Sequence, residues 1–306
     1  MEENASIRAT LAAERSVRFV AEAWSPSAAA ARPREGDQML LHFIRHGQGF
    51  HNAAADRARE MGGSFPSGTP DAETVMTMPD GKTYCSPYKR PEMIDPPLTQ
   101  SGRDQAAALQ VRTRELPVDF VVVSPLCRAT LTGLLAFKHA VPVPLLPLAS
   151  ISKASMAARI VLPGLPLSDS TTAGGARKIP FVAHEMAREH IGVHTCDQRR
   201  SIDDIKFDFP SVDYSLIESN DDVLWTAESR ESTANQSRRG HALLQWIAAA
   251  VDEYGSHREV AVATHSSWLL TLFQTVLEID TEASPGLTSW FATGEMRSVM
   301  VTVVDA

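Results

Sequence analysis

Met39-Leu-Leu-His-Phe-Ile-Arg-His-Gly-Gln48 decides how this chain is read. An apolar run this dense suits a strand buried on both faces, as parallel sheets require. It passes straight into Arg45 and His46. The same grammar recurs downstream. Phe120-Val-Val-Val123 leads into Ser124-Pro-Leu-Cys-Arg128, and Val260-Ala-Val-Ala263 leads into Thr264-His265-Ser266. A shorter run at Phe181-Val182 precedes Glu185 and Glu189, and Val299-Met-Val-Thr-Val-Val304 closes the chain. A further short strand is expected near Val143. Helical patterns fill the intervals at residues 101–116, 126–139, 229–254 and 267–277. Strand alternating with helix predicts a three-layer α/β/α sandwich with a mostly parallel central sheet.

Two regions break the alternation. Residues 61–97 are rich in Gly, Pro, Ser and Thr, and residues 150–178 carry Pro163-Gly164, Pro166 and Gly174-Gly175. Both read as insertions, because long irregular loops in a compact domain are usually lids, binding loops or disordered segments. Residues 1–38 read as an N-terminal extension. Ile7, Leu11, Val17, Val20 and Trp24 are expected on one helical stripe that Ser25-Pro26 ends. The main domain is then 39–306.

The chain has 306 residues and a formal net charge of −8. That balance argues against a nucleic-acid partner, so any anion site must be a local basic pocket. No apolar run approaches the ~18 residues a membrane span needs, and no membrane partner is expected. Three widely spaced cysteines, Cys85, Cys127 and Cys196, imply no disulfide framework. Free thiols and an acidic amino terminus without a secretory or transit pattern lead us to expect a cytoplasmic location.

Strand ends in an α/β sheet face the ligand crevice. Two His, two Arg and a carboxylate are therefore expected at one rim. Each alone has a plain structural reading, a satisfied core histidine or a surface arginine. Together they suit phosphoryl transfer, which needs fixed positive donors around three oxygens. Arg45 and Arg128 offer planar forks to those oxygens. His46, neutral at one ring nitrogen, is the expected nucleophile. His265 donates from the opposite side, and a carboxyl supplies the leaving group's proton.

Four segments in order resemble the histidine phosphatase superfamily, the phosphoglycerate mutase-like enzymes. They are Leu41-His-Phe-Ile-Arg-His-Gly-Gln-Gly-Phe-His-Asn52, Asp95-Pro-Pro-Leu-Thr-Gln-Ser-Gly-Arg-Asp-Gln-Ala106, Ser124-Pro-Leu-Cys-Arg-Ala-Thr130 and Ala263-Thr-His-Ser266. The run Ala187 to Ser201, with Leu224-Trp225 and Arg230-Glu231, is similar to the plant and fungal branch. The resemblance implies His46 as the phosphorylated residue, Arg45, Arg128 and His265 as phosphoryl ligands, and Asn52 as their support. Gln48 stands where many members carry Glu. It implies Glu189 as the acid, three residues before Gly192, with Glu185 as the alternative and Asp197 next. Arg199, Arg200 and Lys206 read either as a solvated basic loop or as part of a lid. We take Gln48, Asn52, Arg199 and Arg200 as the expected substrate contacts. Thr99 reads as a helix N-cap.

The implied activity is a metal-independent phosphatase of small phosphorylated metabolites, with no cofactor. A phosphoglycerate-type mutase and an idle binding protein on the same fold are the alternatives. A metal reading rests on His184, His190, His194 and Cys196, with His190 and His194 one helical turn apart. Gly192 and Thr195 weaken a helix there, so no metal is expected.

Overall fold

The computed structural model describes residues 2–25, 36–64, 75–143 and 177–306. In chain order the elements are α1 (Glu2–Glu14), β1 (Val17–Ala23), β2 (Gln38–Arg45), α2 (Phe50–Glu60), β3 (Val75–Thr77), β4 (Thr83–Cys85), α3 (Gln100–Ala108), α4 (Gln110–Thr113) and β5 (Phe120–Val123). There follow α5 (Cys127–Ala136), β6 (Val141–Val143), β7 (Lys178–Ala183), α6 (Ile202–Asp208), α7 (Thr233–Tyr254), β8 (Glu259–Thr264), α8 (Ser266–Thr271), β9 (Leu277–Ile279) and β10 (Met296–Asp305). A π-helical turn, Leu272–Val276, prolongs α8 into β9.

Eight strands form one sheet in the order β6-β7-β5-β8-β2-β10-β1-β9. Only β10 runs against its two neighbours. The small β3–β4 hairpin stands apart. All of β5 and β8 is buried, as their continuous apolar runs require. Alternate residues feed two cores. Phe120 and Val122 join Phe43, Val262 and the α7 residues Leu243, Leu244 and Ile247 on one face. Val121 and Val123 join Ile44, Ala263, Ala136 of α5 and Ile205 of α6 on the other. Helices thus cover both faces, and the sandwich is three-layered. Thr99 caps α3, its hydroxyl accepting from the Gly102 N–H.

The amino-terminal segment departs from expectation. Its helix stops at Glu14, and Val17–Ala23 is a strand between β10 and β9. Phe19 and Ala21 point into the core while Arg18, Val20 and Glu22 face outward. The period is two, not 3.6, and the pairing partners lie more than 250 residues away. Val17–Ala23 is therefore a strand of the sheet, with α1 leading into it. The insertion at 61–97 contributes the β3–β4 hairpin, with residues 65–74 outside the described set; the insertion at 150–178 lies almost wholly outside it.

Phe19 is fully buried. Phe19→Ala is expected to lower stability by about 3–5 kcal/mol, the range of a lost core aromatic. Urea denaturation measures it, and a loss under about 1 kcal/mol would place this strand outside the cooperative core.

Candidate active site

β2, β5 and β8 end side by side. The His46 N–H donates to the Thr264 carbonyl at 2.9 Å, and the Ser124 N–H to the Ala263 carbonyl at 3.0 Å. These bonds carry the sheet register one residue past each strand, so Arg45, His46, Ser124 and His265 leave it at one level. A cavity of about 490 Å³ opens there, and Arg45, His46, Asn52, Arg128, Glu189 and Asp197 are among its lining residues.

His46 is 1% exposed. Its Nδ1 lies 2.6 Å from the Gly47 carbonyl oxygen. A carbonyl only accepts, so Nδ1 carries the proton and Nε2 is left as an acceptor, which takes a hydrogen bond from Arg128. Arg128 Nε stands 3.3 Å from that Nε2. Burial, then the Arg128 and Arg45 charges, hold the ring's pKa well below 6.5, against the pull of the Gly47 carbonyl. A neutral imidazole beside two guanidiniums has the chemistry to act as a nucleophile toward an anion drawn to those charges.

Arg128 is buried, with Nη1 on the Cys196 carbonyl at 2.6 Å and Nη2 on Asp197 at 3.0 Å. Burial opposes its charge, but Asp197, Cys196, Asp95 and Glu189 outweigh it and its pKa is raised. Arg45 donates from Nη1 to the Phe291 carbonyl at 2.5 Å, while its buried Nε has no partner. Its guanidinium lies 5.7 Å from the Trp290 ring centre at the cavity rim.

His265 sits behind His46, ring centres 5.0 Å apart, fully buried, with Nε2 on the Ser124 hydroxyl at 2.8 Å. Burial and then Arg128 push its pKa well down too. Asn52 lines the cavity and accepts from the Gly49 N–H at 3.0 Å, fixing the start of α2.

Glu189 reaches the cavity through the amino end of α8. Its carboxylate accepts from the N–H groups of Ser267 at 3.2 Å and Trp268 at 3.0 Å, and from its neighbour His190 at 3.0 Å. Glu185 instead pairs with Arg188 at 3.0 Å and Arg199 at 2.8 Å and does not line the cavity. Asp197 lines it, but both its oxygens are held, by Arg128 and by Arg230.

Three expected substrate contacts fall elsewhere. Arg199 is buried, with Glu185 and the carbonyls of Arg200, Ser219, Asn220 and Asp221 taking its donors. Arg200 pairs with Asp95 and Asp208. Gln48 accepts from the Thr99 hydroxyl at 2.9 Å and fastens α3. None of the three lines the cavity. In each case nearer carboxylates, carbonyls or a hydroxyl satisfy the group before substrate can.

The chain crossing beneath His46 leaves no room for side chains. A Cβ on Gly47 would lie 2.2 Å from the Gly102 oxygen, and one on Gly102 would lie 2.1 Å from the Gln48 oxygen. Just beyond, Gly49 bridges to Leu98 and the Phe50 N–H donates to Pro97.

His51, Tyr88, Arg59, His194, Arg230 and Trp290 line the cavity without having been expected there. His51 lies inside the quoted Leu41–Asn52 segment, and its ring centre is 5.8 Å from that of His46. Tyr88 stacks on His194 at 5.5 Å. Nothing in the sequence around Tyr88 or Trp290 signals a site, because each arrives from an irregular segment. Of the metal candidates, His184 caps a short turn and His190 bonds the Glu231 carbonyl. His194, Cys196 and Asp197 do cluster within 4.8 Å. A dication there would face Arg128 and Arg230 on the same carboxylate, so the donor set suits a guanidinium pair better than a metal.

Residues 88–148 match the family model described as "Histidine phosphatase superfamily (branch 1)". The chain is 29% identical over 272 residues to "Phosphoglycerate mutase-like protein 1" of Arabidopsis thaliana, covering 85% of this chain and 80% of that one. It is 29% identical over 233 residues to a second Arabidopsis "Phosphoglycerate mutase-like protein", covering 75% and 71%. A "Probable phosphoglycerate mutase" of the fungus Arthroderma benhamiae is 27% identical over 211 residues, covering 68% and 50%.

The buried rings carry a pH consequence. His46, His51 and His265 have folded pKa values well below 6.5. As pH falls through 6.5, the unfolded chain gains protons on them that the folded chain does not, so stability drops. Asp95, raised by burial, works the other way, but His184, His194 and His241, each lowered to about 4, add to the three rings. The urea midpoint is expected to fall between about pH 7.5 and pH 5.5. A midpoint flat across that interval would mean these rings protonate inside the fold.

Proposed function

We propose that this chain is a member of the histidine phosphatase superfamily, on its phosphoglycerate mutase-like side, and that it hydrolyses small phosphomonoesters through a phosphohistidine at His46. The observation that carries the reading is the His46 ring, proton on Nδ1 toward Gly47 and Nε2 facing the guanidinium of Arg128.

In the first step the Nε2 lone pair forms a bond to phosphorus as the bond to the ester oxygen breaks. Arg45 and Arg128 offset the charge on the equatorial oxygens. Glu189 is the general acid in this reading, passing a proton to the leaving alkoxide. In the second step Glu189 takes a proton from water, the water oxygen bonds to phosphorus, and the N–P electron pair returns to Nε2. Inorganic phosphate leaves, and no metal enters either step. The mutase names of the plant relatives favour a second reading, in which the phosphohistidine returns its phosphoryl group to the bound organic molecule instead of to water.

Release of inorganic phosphate from a panel of alkyl and sugar phosphates, in EDTA, tests the proposal. Wild type is expected to turn over and His46→Ala to be silent. Loss of activity in EDTA, or near-normal turnover by His46→Ala, would overturn the mechanism. A wild-type phosphoenzyme that persists in water but reacts with a phosphorylated acceptor would select the mutase reading.

The proton donor has its own signature. Glu189→Gln is expected to slow alkyl phosphates by ~10²–10⁴-fold and to spare aryl phosphates, whose weakly basic leaving group needs no proton. Glu185→Gln should show no such split, since its ion pairs act on the fold. Comparing the two substrates in each variant checks the assignment, and a split confined to Glu185→Gln would move the role there.

A further inference from the structure

Arg230 and Glu231 are consecutive, yet their side chains bond to different halves of the site. The chain around them packs main chain on main chain against the loop that follows Glu189. The Glu231 N–H donates to the Ile191 carbonyl at 2.9 Å, and the Val193 N–H to the Thr226 carbonyl at 2.8 Å. A Cβ on Gly192 would lie 2.0 Å from the Ser229 oxygen. Both side chains thus start from a fixed backbone.

Arg230 serves the phosphoryl side. Its Nη1 donates to the Gly192 carbonyl at 2.7 Å and to Asp197 Oδ2 at 3.1 Å. The other oxygen of that carboxylate accepts from Arg128 at 3.0 Å, so Asp197 stands between the two guanidiniums. Glu231 serves the acid side. Arg239 gives it a fork, Nε to Oε1 at 2.7 Å and Nη2 to Oε2 at 2.6 Å. The same guanidinium donates to the carbonyls of Met186, Arg188 and Glu189 at 2.9, 3.1 and 3.1 Å. With side chains 15% and 10% exposed, Arg239 and Glu231 form a bidentate pair rather than a solvated surface contact. Neither lines the cavity, so their route to the reaction runs through the main chain of Glu189.

We propose that Arg230 and Glu231 are positioning residues that divide the reaction between them: Arg230, through Asp197, aims Arg128 at the phosphoryl group, and Glu231, through Arg239, holds Glu189 at the leaving group. The proposal rests on the phosphatase reading. It assigns two adjacent residues opposite kinetic signatures. Loosening the acid harms only substrates whose leaving group needs a proton. Loosening the phosphoryl-side guanidinium harms every substrate alike, because the equatorial oxygens are the same in all of them.

The test is kcat/KM on glycerol phosphate and on nitrophenyl phosphate, with the full chain and its variants, each checked for folding by its urea midpoint. Glu231→Gln is expected to slow glycerol phosphate about tenfold or more and to spare nitrophenyl phosphate. Arg239→Lys, which keeps the charge but loses the fork, should show the same split and carries the test if Glu231→Gln does not fold. Arg230→Gln should slow both substrates by one factor, about tenfold. Equal slowing of the two substrates by Glu231→Gln and Arg239→Lys, or a split in Arg230→Gln, would overturn the proposal. Glu189→Gln, run alongside, separates the two levels. If it splits the substrates and Glu231→Gln does not, only the positioning role falls. If it does not split them, or if wild type turns over neither, the phosphatase reading itself falls and this proposal with it.

Discussion

The guanidinium of Arg128 is the constraint on which the site depends. It is 1% exposed and touches three segments at once: His46 from β2, Cys196 through its carbonyl, and Asp197 through its carboxylate. A buried charge is tolerated only while its partners hold, and removing one partner of such a pair costs about 3–5 kcal/mol. With burial, the same group keeps His46 neutral, and its charge favours an anion beside that ring. Fold and chemistry therefore share one ion pair, and neither can be altered there without the other.

Around it, an irregular stretch is made rigid by charge rather than by regular structure. Arg188 is fully buried and binds Glu185 and Asp222. Arg239, from α7, donates to the carbonyls of Met186, Arg188 and Glu189 and pairs with Glu231. The Thr264 hydroxyl at the end of β8 holds the Ala187 carbonyl. Glu189 thus hangs on main-chain anchors from three directions, which lets a loop residue hold a position that a helix would otherwise fix.

The central strands and the rim were legible in the sequence because burial on both faces leaves an unbroken apolar run, and a strand end must point somewhere. Arg45, His46 and Arg128 follow from that alone. β1 was not legible: Val17, Phe19 and Val20 satisfy a helical stripe as well as an alternating one, and only pairing with β10 decides. β9, three residues long, has no pattern to read. Whether an arginine meets substrate or a neighbouring acid is decided by distances between segments remote in sequence. Arg200 meets Asp95, 105 positions away, and nothing local to Arg199 or Arg200 announces it. Spacing to Gly192 favours Glu189 and leaves Glu185 as the alternative, and the two part when α8 presents its N–H groups to Glu189.

The crossing of Gly47 over Gly102 has a consequence for how such a chain can diversify. Gly49 meets Leu98, and the Thr99 N–H donates to the Gln48 carbonyl, so everything between leaves and returns through one clasp. His46 is anchored on the near side of that clasp and α3 on the far side. Lengthening a closed excursion costs only about 0.6 kcal/mol per doubling. The excursion is thus a cassette. Evolution can rewrite the wall that Tyr88 and Arg59 bring to the cavity, residue by residue or wholesale, while the two glycines at its gate stay fixed and the His46 ring does not move.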